Sequence, residues 1–204
     1  MGNWEIGRMV VSMCETNCYY IYRNAEEKEK EVLLIDPGDR GGQIYEALRG
    51  KGFRVGAILL THGHFDHIWG ANELRRLSGA QIYAFEGEKD VCEDAFANVS
   101  SQAGRAETVA ADHYEPDGSV LELAGFTVRL IATPGHTHGS CCYYLEEEKV
   151  LFSGDTLFEG SVGRTDFPTG SMGSLVRSVK EKLLALPEDV AVYPGHGERT
   201  TIGE

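Results

Sequence analysis

The sequence predicts an α+β fold in which mixed sheets pack as a layered sandwich. Short apolar runs rich in β-branched residues alternate with helix-like segments along the whole chain. Two hairpin signals, a polar turn from Asn24 to Glu31 and the Ala124-Gly125 turn, favour antiparallel pairing over a purely parallel, doubly wound sheet. With 204 residues, 42% of them hydrophobic, the chain can form one sizeable core, so we expect a single domain over residues 1–204.

Each element follows from its periodicity. Apolar runs bounded by turn formers predict strands at residues 7–13, 18–22, 32–35, 56–60, 81–85, 120–123, 126–132, 141–145, 149–152 and 190–193. Helical periodicity predicts helices at residues 42–50, 66–77 and 172–186, the last of them ended by Pro187. Residues 93–118 carry the weakest pattern and a turn at Pro116-Asp117-Gly118, which indicates a surface loop, with a lid as the alternative.

Charge and cysteine content restrict the class of protein. The 19 basic and 32 acidic side chains give a formal charge of -13, which would repel a polyphosphate backbone, so we expect no nucleic-acid partner. The five cysteines are odd in number and fit no disulfide framework, which favours a reducing compartment. No apolar stretch approaches the roughly 20 residues of a membrane helix, and the N-terminal residues show no signal peptide. We therefore expect a cytoplasmic protein without a membrane partner.

Five of the seven histidines follow directly after strand-like runs, where side chains from separate parts of a chain can meet at one sheet edge. In the segment after residues 55–60, His62 and His64 alternate to one side and can bind one cation. Asp66 and His67 come where the next helix begins, so they can point to a neighbouring cation. The absence of thiolate ligands favours a working zinc, iron or manganese site over a closed structural zinc.

The remaining candidate ligands lie in turns after later strands. His136 and His196 each follow a Pro-Gly pair, and Asp155 ends the run from Val150, where its carboxylate could bridge two ions. A lone histidine is more often a surface or hydrogen-bonded residue, and we assign His113 and His138 that ordinary role. The combination of the clustered and separate motifs predicts a site with two divalent metal ions, zinc first, with iron or manganese as alternatives.

These motifs resemble the metallo-β-lactamase superfamily, and within it the glyoxalase II-like hydrolases in their short single-domain form. The resemblance runs from Ile35-Asp36-Pro37-Gly38 to His196. It implies a four-layer αββα sandwich. It also implies a ligand set for each of two metals and a bridging carboxylate: His62, His64 and His136 for the first, Asp66, His67 and His196 for the second, and Asp155 between them.

Departures from other members of the superfamily narrow the expected activity. The commonest β-lactamases carry an Arg where His67 stands and a Cys where Asp155 stands, which disfavours antibiotic hydrolysis. Flavodiiron oxygen reductases carry a Glu where His64 stands. Full-length glyoxalase II has Lys and Tyr near the positions of Arg164 and Asp166 and adds a C-terminal helical domain that binds glutathione. This chain ends eight residues after His196, so the resemblance does not extend to glutathione recognition.

We therefore expect a metal-dependent hydrolase acting on a small-molecule thioester, similar to S-lactoylglutathione, or on a related ester. The expected reaction is attack of a metal-bound hydroxide on the carbonyl, with Asp66 as the catalytic residue that orients the water. Arg164 is the candidate for binding an anionic substrate group, with a structurally paired arginine as the equal alternative. Asp36 could support a metal-binding histidine, although we favour a turn residue that caps its own backbone.

Three other functions stay open at this stage. The same motifs resemble mononuclear iron persulfide dioxygenases, in which His62, His136 and Asp155 would hold one iron. A lactonase would use the same site on a cyclic ester. A metal-binding or sensory module without turnover is the non-enzymatic alternative, and the complete ligand set disfavours it. The oligomeric state does not follow from the sequence.

Overall fold

The N-terminal half forms a six-stranded sheet. The structure of the protein is a computed structural model, and it describes residues 3–24 and 30–204. The strands of this sheet are β1 (Trp4–Val11), β2 (Thr16–Arg23), β3 (Lys30–Ile35), β4 (Phe53–Leu59), β5 (Gln81–Phe85) and β6 (His113–Glu115), in that order across the sheet. Strands β1 to β3 are antiparallel, and β3 to β6 are parallel. The predicted turn from Asn24 to Glu31 lies partly outside the described residues, but the antiparallel pairing on either side of it is confirmed.

The C-terminal half forms a second six-stranded sheet and a small hairpin. Its elements are β7 (Val120–Leu123), β8 (Phe126–Ala132), β9 (Cys141–Leu145), β10 (Val150–Gly154), the hairpin of β11 (Leu157–Phe158) with β12 (Ser161–Val162), β13 (Ala191–Pro194) and β14 (Thr200–Thr201). The sheet order is β14-β13-β10-β9-β8-β7, and only the β10–β13 pair is parallel. Ala124 and Gly125 turn between β7 and β8 with φ of 50° and 78°, as the predicted hairpin requires.

The helices are short. They are α1 (Gly41–Gly50), α2 (Phe65–Ile68), α3 (Ala71–Ser78), α4 (Lys89–Cys92), preceded by a 3₁₀ turn at Glu86–Glu88, and α5 (Met172–Arg177), which continues as a π-helical turn at Ser178–Leu183. The single helix predicted at residues 66–77 is wrong: it divides into α2 and α3 because the Gly70 N–H donates to the Pro37 carbonyl at 2.8 Å. The helix predicted at 172–186 ends earlier, at Leu183, before Pro187.

The core has three apolar layers. Between the two sheets, Tyr19 and Leu33 pack against Phe126 and Phe152. On the outer face of the first sheet, the α1 and α3 side chains pack against β3 and β4. On the outer face of the second sheet, the π-helical turn packs against β10 and β13. Each fully buried aliphatic or aromatic side chain contributes about 1.5–3 kcal/mol, and the order helix, sheet, sheet, helix confirms the αββα sandwich.

Residues 93–118 differ in part from the loop expectation. Near the end of this region, the three residues of β6 pair with the edge of β5. The rest forms turns, in which Asn98 and Ser100 are buried and both donate side-chain hydrogen bonds to the Glu107 carbonyl. This region is therefore an ordered loop tied to itself by hydrogen bonds. Among the described residues, no helix is both long and apolar enough to span a bilayer.

Candidate metal centre

The predicted site residues meet at one edge of the sandwich, where β4, β8, β10 and β13 end. Three groups of residues each have possible donor atoms that lie within 4.8 Å of one another inside the group. The groups are His62, His64 and His136; His62, His67 and Asp155; and Asp66, His67 and His196. We call the first of these the first set and the last the second set. All seven residues that the sequence nominated as metal ligands are thus neighbours in space.

Asp36 orients two of these histidines. Its Oδ2 accepts the Thr61 hydroxyl at 2.6 Å and lies 2.9 Å from His67 Nδ1, and its Oδ1 accepts the Thr61 N–H at 2.8 Å. In the neutral ring this carboxylate fixes the proton on Nδ1, so Nε2 is the nitrogen that faces Asp66 and Asp155 and is available to a cation once the ring is neutral. Because the Thr61 hydroxyl gives its proton to Asp36, its oxygen accepts from His62 Nδ1 at 3.1 Å. Asp36 therefore supports two of the candidate ligand histidines, and the expected role limited to capping its own turn is wrong.

His136 is oriented by the backbone. Its Nδ1 donates to the Arg164 carbonyl at 2.8 Å, so Nε2 carries the lone pair. That Nε2 lies 2.9 Å from Nδ1 of His64. The His64 ring also contacts Phe167, with 4.9 Å between ring centroids. Two ring nitrogens therefore face each other in a buried space, which is an arrangement that suits a shared cation.

The two carboxylates occupy different places in the centre. Asp155 lies 3.5 Å from His136 Nε2, 3.5 Å from His67 Nε2 and 3.4 Å from His196 Nε2, so it contacts both sets. Asp66 lies 3.3 Å from His196 Nε2 and accepts the Thr16 hydroxyl at 2.8 Å. The close approach of the β13 turn depends on Gly195, since a Cβ there would collide with the Asp155 carboxylate.

Unsatisfied donor atoms test whether the residues fit a cation. Within residues 3–24 and 30–204, the buried Nε2 atoms of His62 and His67 and Oδ1 of Asp155 are among the polar atoms without a hydrogen-bond partner. An unpaired buried polar atom costs about 1–3 kcal/mol, and a bound cation would satisfy lone pairs of this kind. The donor set therefore fits divalent metal binding.

The charge states of the two sets differ. Burial, followed by neighbouring histidines, lowers the pKa of His62 and lowers that of His64 to about 3, so both rings are neutral. Burial also opposes the charge on His67, but the carboxylates of Asp66 and Asp155 outweigh it and raise its pKa to about 9. In turn, His67 holds the pKa of both carboxyls below the usual value although burial opposes this.

A cavity of about 380 Å³ opens above the centre. Besides the ligands, its walls are mainly apolar, from Phe65, Val99, Phe158 and Phe167, with Cys14 and Arg164. Val99 has φ of 67°, an uncommon conformation for a β-branched residue. Apart from Arg164, these wall residues were not predicted from the sequence. Phe158 and Phe167 follow closely after Asp155 in the sequence, which was the available signal. Cys14 and Val99 are brought in by loops distant in sequence.

Arg164 lines this cavity, but its charge is already paired. Its Nε and Nη2 donate to the two carboxylate oxygens of Asp166 at 2.6 Å each, and its guanidinium lies 4.4 Å from the Phe167 ring centroid. The pairing with Asp166 was the alternative left open by the sequence.

The two histidines excluded from the site lie apart from the metal groups. His113 Nε2 is 2.8 Å from Gln81 Oε1, and His138 Nε2 is 2.9 Å from Asp90 Oδ1. Of the five cysteines, Cys14 is exposed and the other four are buried, and all are free thiols. Cys141 and Cys142 face opposite sides of β9, as the strand alternation predicts, although both sides are buried.

The comparisons with known proteins agree with this geometry. The chain belongs to the metallo-beta-lactamase superfamily, whose family model matches residues 12–196. Within that superfamily it is a metal-dependent hydrolase. It is 37% identical over 197 residues to the probable metallo-hydrolase YqgX of Bacillus subtilis, covering 96% of this chain and 91% of that one. It is 36% identical over 200 residues to the hydroxyacylglutathione hydrolase GloC of Haemophilus influenzae, covering 95% and 91%.

Solved structures give the same fold. The BLEG-1 B3 metallo-beta-lactamase superposes with a TM-score of 0.90 at 38% identity, covering 98% of this chain and 95% of that one. TTHA1623 in a di-iron-bound form gives 0.82 at 32% identity, covering 97% and 95%. ETHE1 from Myxococcus xanthus gives 0.73 at 26% identity, covering 98% and 80%. The predicted superfamily and fold are confirmed.

Proposed function

We propose that this chain is a dinuclear hydrolase that cleaves a thioester similar to S-lactoylglutathione, or a related ester. The observation that carries the proposal is the position of Asp155, within 3.5 Å of nitrogens from both ligand sets. One carboxylate between two groups of ligands suits two ions better than one. The similarity to GloC, named as a hydroxyacylglutathione hydrolase, supports a thioester substrate.

We propose zinc as the metal, with His62, His64 and His136 holding one ion, Asp66, His67 and His196 the other, and Asp155 shared. Divalent ions in such a site lower the pKa of water to about 7 and polarise a carbonyl oxygen. The di-iron form of TTHA1623 supports iron as the alternative.

The side chains of the cavity provide the rest of the proposed reaction. Asp66, ionised and at the cavity wall, can accept a hydrogen bond from the attacking water and orient it. The Thr16 hydroxyl fixes that carboxylate from behind, at 2.8 Å. Phe158 and Phe167 exclude solvent from the carbonyl, which strengthens polar interactions there. A thiol leaving group has a pKa near 8.5, so it can depart as thiolate without a general acid.

Arg164 is the proposed contact for an anionic group of the substrate. Because Asp166 already pairs with it, such a group must compete with that carboxylate for the guanidinium. Both side chains are well exposed, so the competition takes place in solvent and the pairing is weak.

A persulfide dioxygenase is the second candidate, because the motifs that contain His62, His136 and Asp155 also resemble that family. Because BLEG-1 is named as a metallo-beta-lactamase, a β-lactam must also be included among the assay substrates.

One set of measurements on one sample tests these functions. The protein is purified without added metal, and zinc, iron and manganese per chain are measured by elemental analysis. The same sample is assayed with S-lactoylglutathione, glutathione persulfide, a lactone and a chromogenic cephalosporin while oxygen is monitored. We expect about two metals per chain and thioester cleavage without oxygen uptake. One iron per chain with oxygen uptake on the persulfide would replace the proposal by the dioxygenase. Cleavage confined to the cephalosporin or the lactone would reject the thioester.

A further inference from the structure

Glu88 lies buried beside the metal centre without being one of its proposed ligands. Its side chain ends the 3₁₀ turn before α4 and is 1% exposed. Oε1 accepts the Gly63 N–H at 2.7 Å, and Oε2 accepts the Thr137 hydroxyl at 2.9 Å. The nearby Gly139 N–H also lowers the pKa of this carboxyl. Since Gly63 separates His62 from His64, and Thr137 follows His136, one side chain joins the two loops that carry the first set.

The buried Glu88 carboxylate has no cationic partner among the described residues, although a buried charge normally has one. In the part of the chain that the structure describes, all its polar contacts are uncharged donors from these two loops. Burial without a cationic partner is unfavourable, and it raises the pKa of Glu88 to about 8 against the opposing hydrogen bonds. Because burial of this carboxylate is unfavourable, we expect it to have a structural role, which is to fix the positions of the groups that donate hydrogen bonds to it.

The loops themselves leave little freedom once Glu88 is in place. A Cβ on Gly63 would lie 2.8 Å from the Cys92 amide nitrogen, so the His62–His64 backbone passes directly against α4. The Thr137 hydroxyl also lies 2.6 Å from Ser140 Oγ, which closes the turn after His136. The Glu88 carboxylate is thus fixed between two tightly packed turns that are 72 residues apart at His64 and His136.

We propose that Glu88 is a positioning residue that sets the distance between the two ligand loops and so holds the first set in the geometry that binds a metal ion. The inference rests on the proposed function, in which His62, His64 and His136 bind one ion. It assigns Glu88 no contact with the substrate or the reacting atoms.

The test measures zinc affinity by competition with a chromophoric chelator, together with thermal unfolding. We expect Glu88→Ala to weaken binding at the first set about 10- to 100-fold, the range typical of groups that orient metal ligands. Glu88→Gln keeps an acceptor for the Gly63 N–H and should retain most of the affinity. Thr137→Val removes one donor and should fall between them. Amide resonances of Gly63 and Gly139 in metal-free protein should move in Glu88→Ala and stay close to wild type in Glu88→Gln.

Glu148→Gln is the matched control. Glu148 is also buried, with a side chain 2% exposed, but it pairs with Arg23 away from the centre. Its substitution should lower thermal stability without changing zinc affinity. Equal zinc affinity in wild type and Glu88→Ala would overturn the inference, and so would an equal loss in Glu148→Gln. If Glu88→Ala does not fold, Thr137→Val with wild-type affinity overturns it. A wild-type protein that binds neither zinc nor iron would reject the proposed function, whereas a wild-type protein that binds zinc no more tightly than Glu88→Ala would reject this inference alone.

Discussion

The two proposed ligand sets differ in whether their side chains must lose protons before a cation can bind. In the first set the ligands are three neutral, buried histidines. In the second set a carboxylate lies between two histidines whose pKa values it helps to raise, to about 9 for His67 and about 11 for His196, against the effect of burial. The first set therefore offers free lone pairs near neutral pH, whereas the second must release protons before a metal can bind.

Exposure follows the same division. The side chain of His196 in the second set is 28% exposed, whereas that of His136 in the first set is 3% exposed. Their supports also differ, since Asp36 orients His67 of the second set, and the Arg164 carbonyl orients His136 of the first. The centre therefore contains a buried, uncharged half and a charged half that is exposed at His196, and separate substitutions can address the two.

Asp155→Ala should give the largest effect, because it removes the carboxylate that contacts both halves. We expect loss of at least one metal per chain and a fall in kcat/KM beyond the roughly 100-fold typical of outer supports. Elemental analysis and thioester assays check this. Asp90→Asn, at an exposed pair with His138, is the control and should match wild type. Two metals retained in Asp155→Ala would remove the bridging role and with it the comparison's central assumption.

Asp36→Asn should weaken the second set more than the first. Asn tolerates the left-handed φ of 50° at this position, but an amide N–H facing His67 Nδ1 would force that ring's proton onto Nε2. We expect zinc affinity at the second set to fall about 10- to 100-fold. A two-step chelator competition separates the steps. Equal weakening of both steps would show that Asp36 acts on the whole centre through Thr61 rather than on His67.

Lowering the pH should change the zinc affinity of the two sets differently, without any substitution. The pKa of His67 is raised, so below about pH 9 a proton must leave as metal binds, and affinity at the second set falls as pH falls. We expect a decrease of about tenfold per pH unit for each proton displaced between pH 8 and pH 6. The pKa of His64 is lowered to about 3, so its ring has no proton to release when a metal binds at the first set over this range. Calorimetric zinc titrations in buffers of different ionisation enthalpy count the protons, and equal release in both steps would contradict the comparison.

The sequence predicted which residues meet at the candidate centre better than it predicted the contacts that orient them. Each of these candidate ligands stands in a short local motif, such as His62-Gly63-His64, next to a strand that periodicity reveals. The bond between Asp36 and His67 spans 31 residues, and that between Glu88 and Thr137 spans 49. Contacts of this kind depend on which strands and loops lie side by side in the fold, which residue patterns along one chain do not encode.

The errors in secondary structure have the same origin. The predicted helix at 66–77 has acceptable periodicity throughout, and only the contact of Gly70 with Pro37 divides it. Strand β6 is three residues long and exists because the edge of β5 accepts it. Long periodic elements were therefore predicted well, while elements defined by a partner were missed.

Asp166→Asn should give the smallest effect, and one that alters the substrate preference rather than either ligand set. The substitution removes the partner of Arg164 and leaves the Arg164 carbonyl on His136 unchanged. Because an exposed ion pair contributes about 0.2–1 kcal/mol, we expect kcat/KM for anionic S-lactoylglutathione to rise about two- to fivefold. A neutral thioester with the same acyl group should react at the wild-type rate, and zinc affinity should not change. A rise with both thioesters would mean that Asp166 restrains the loop that carries Phe167, and a fall with the anionic substrate alone would mean that the paired Arg164 is the form that binds it.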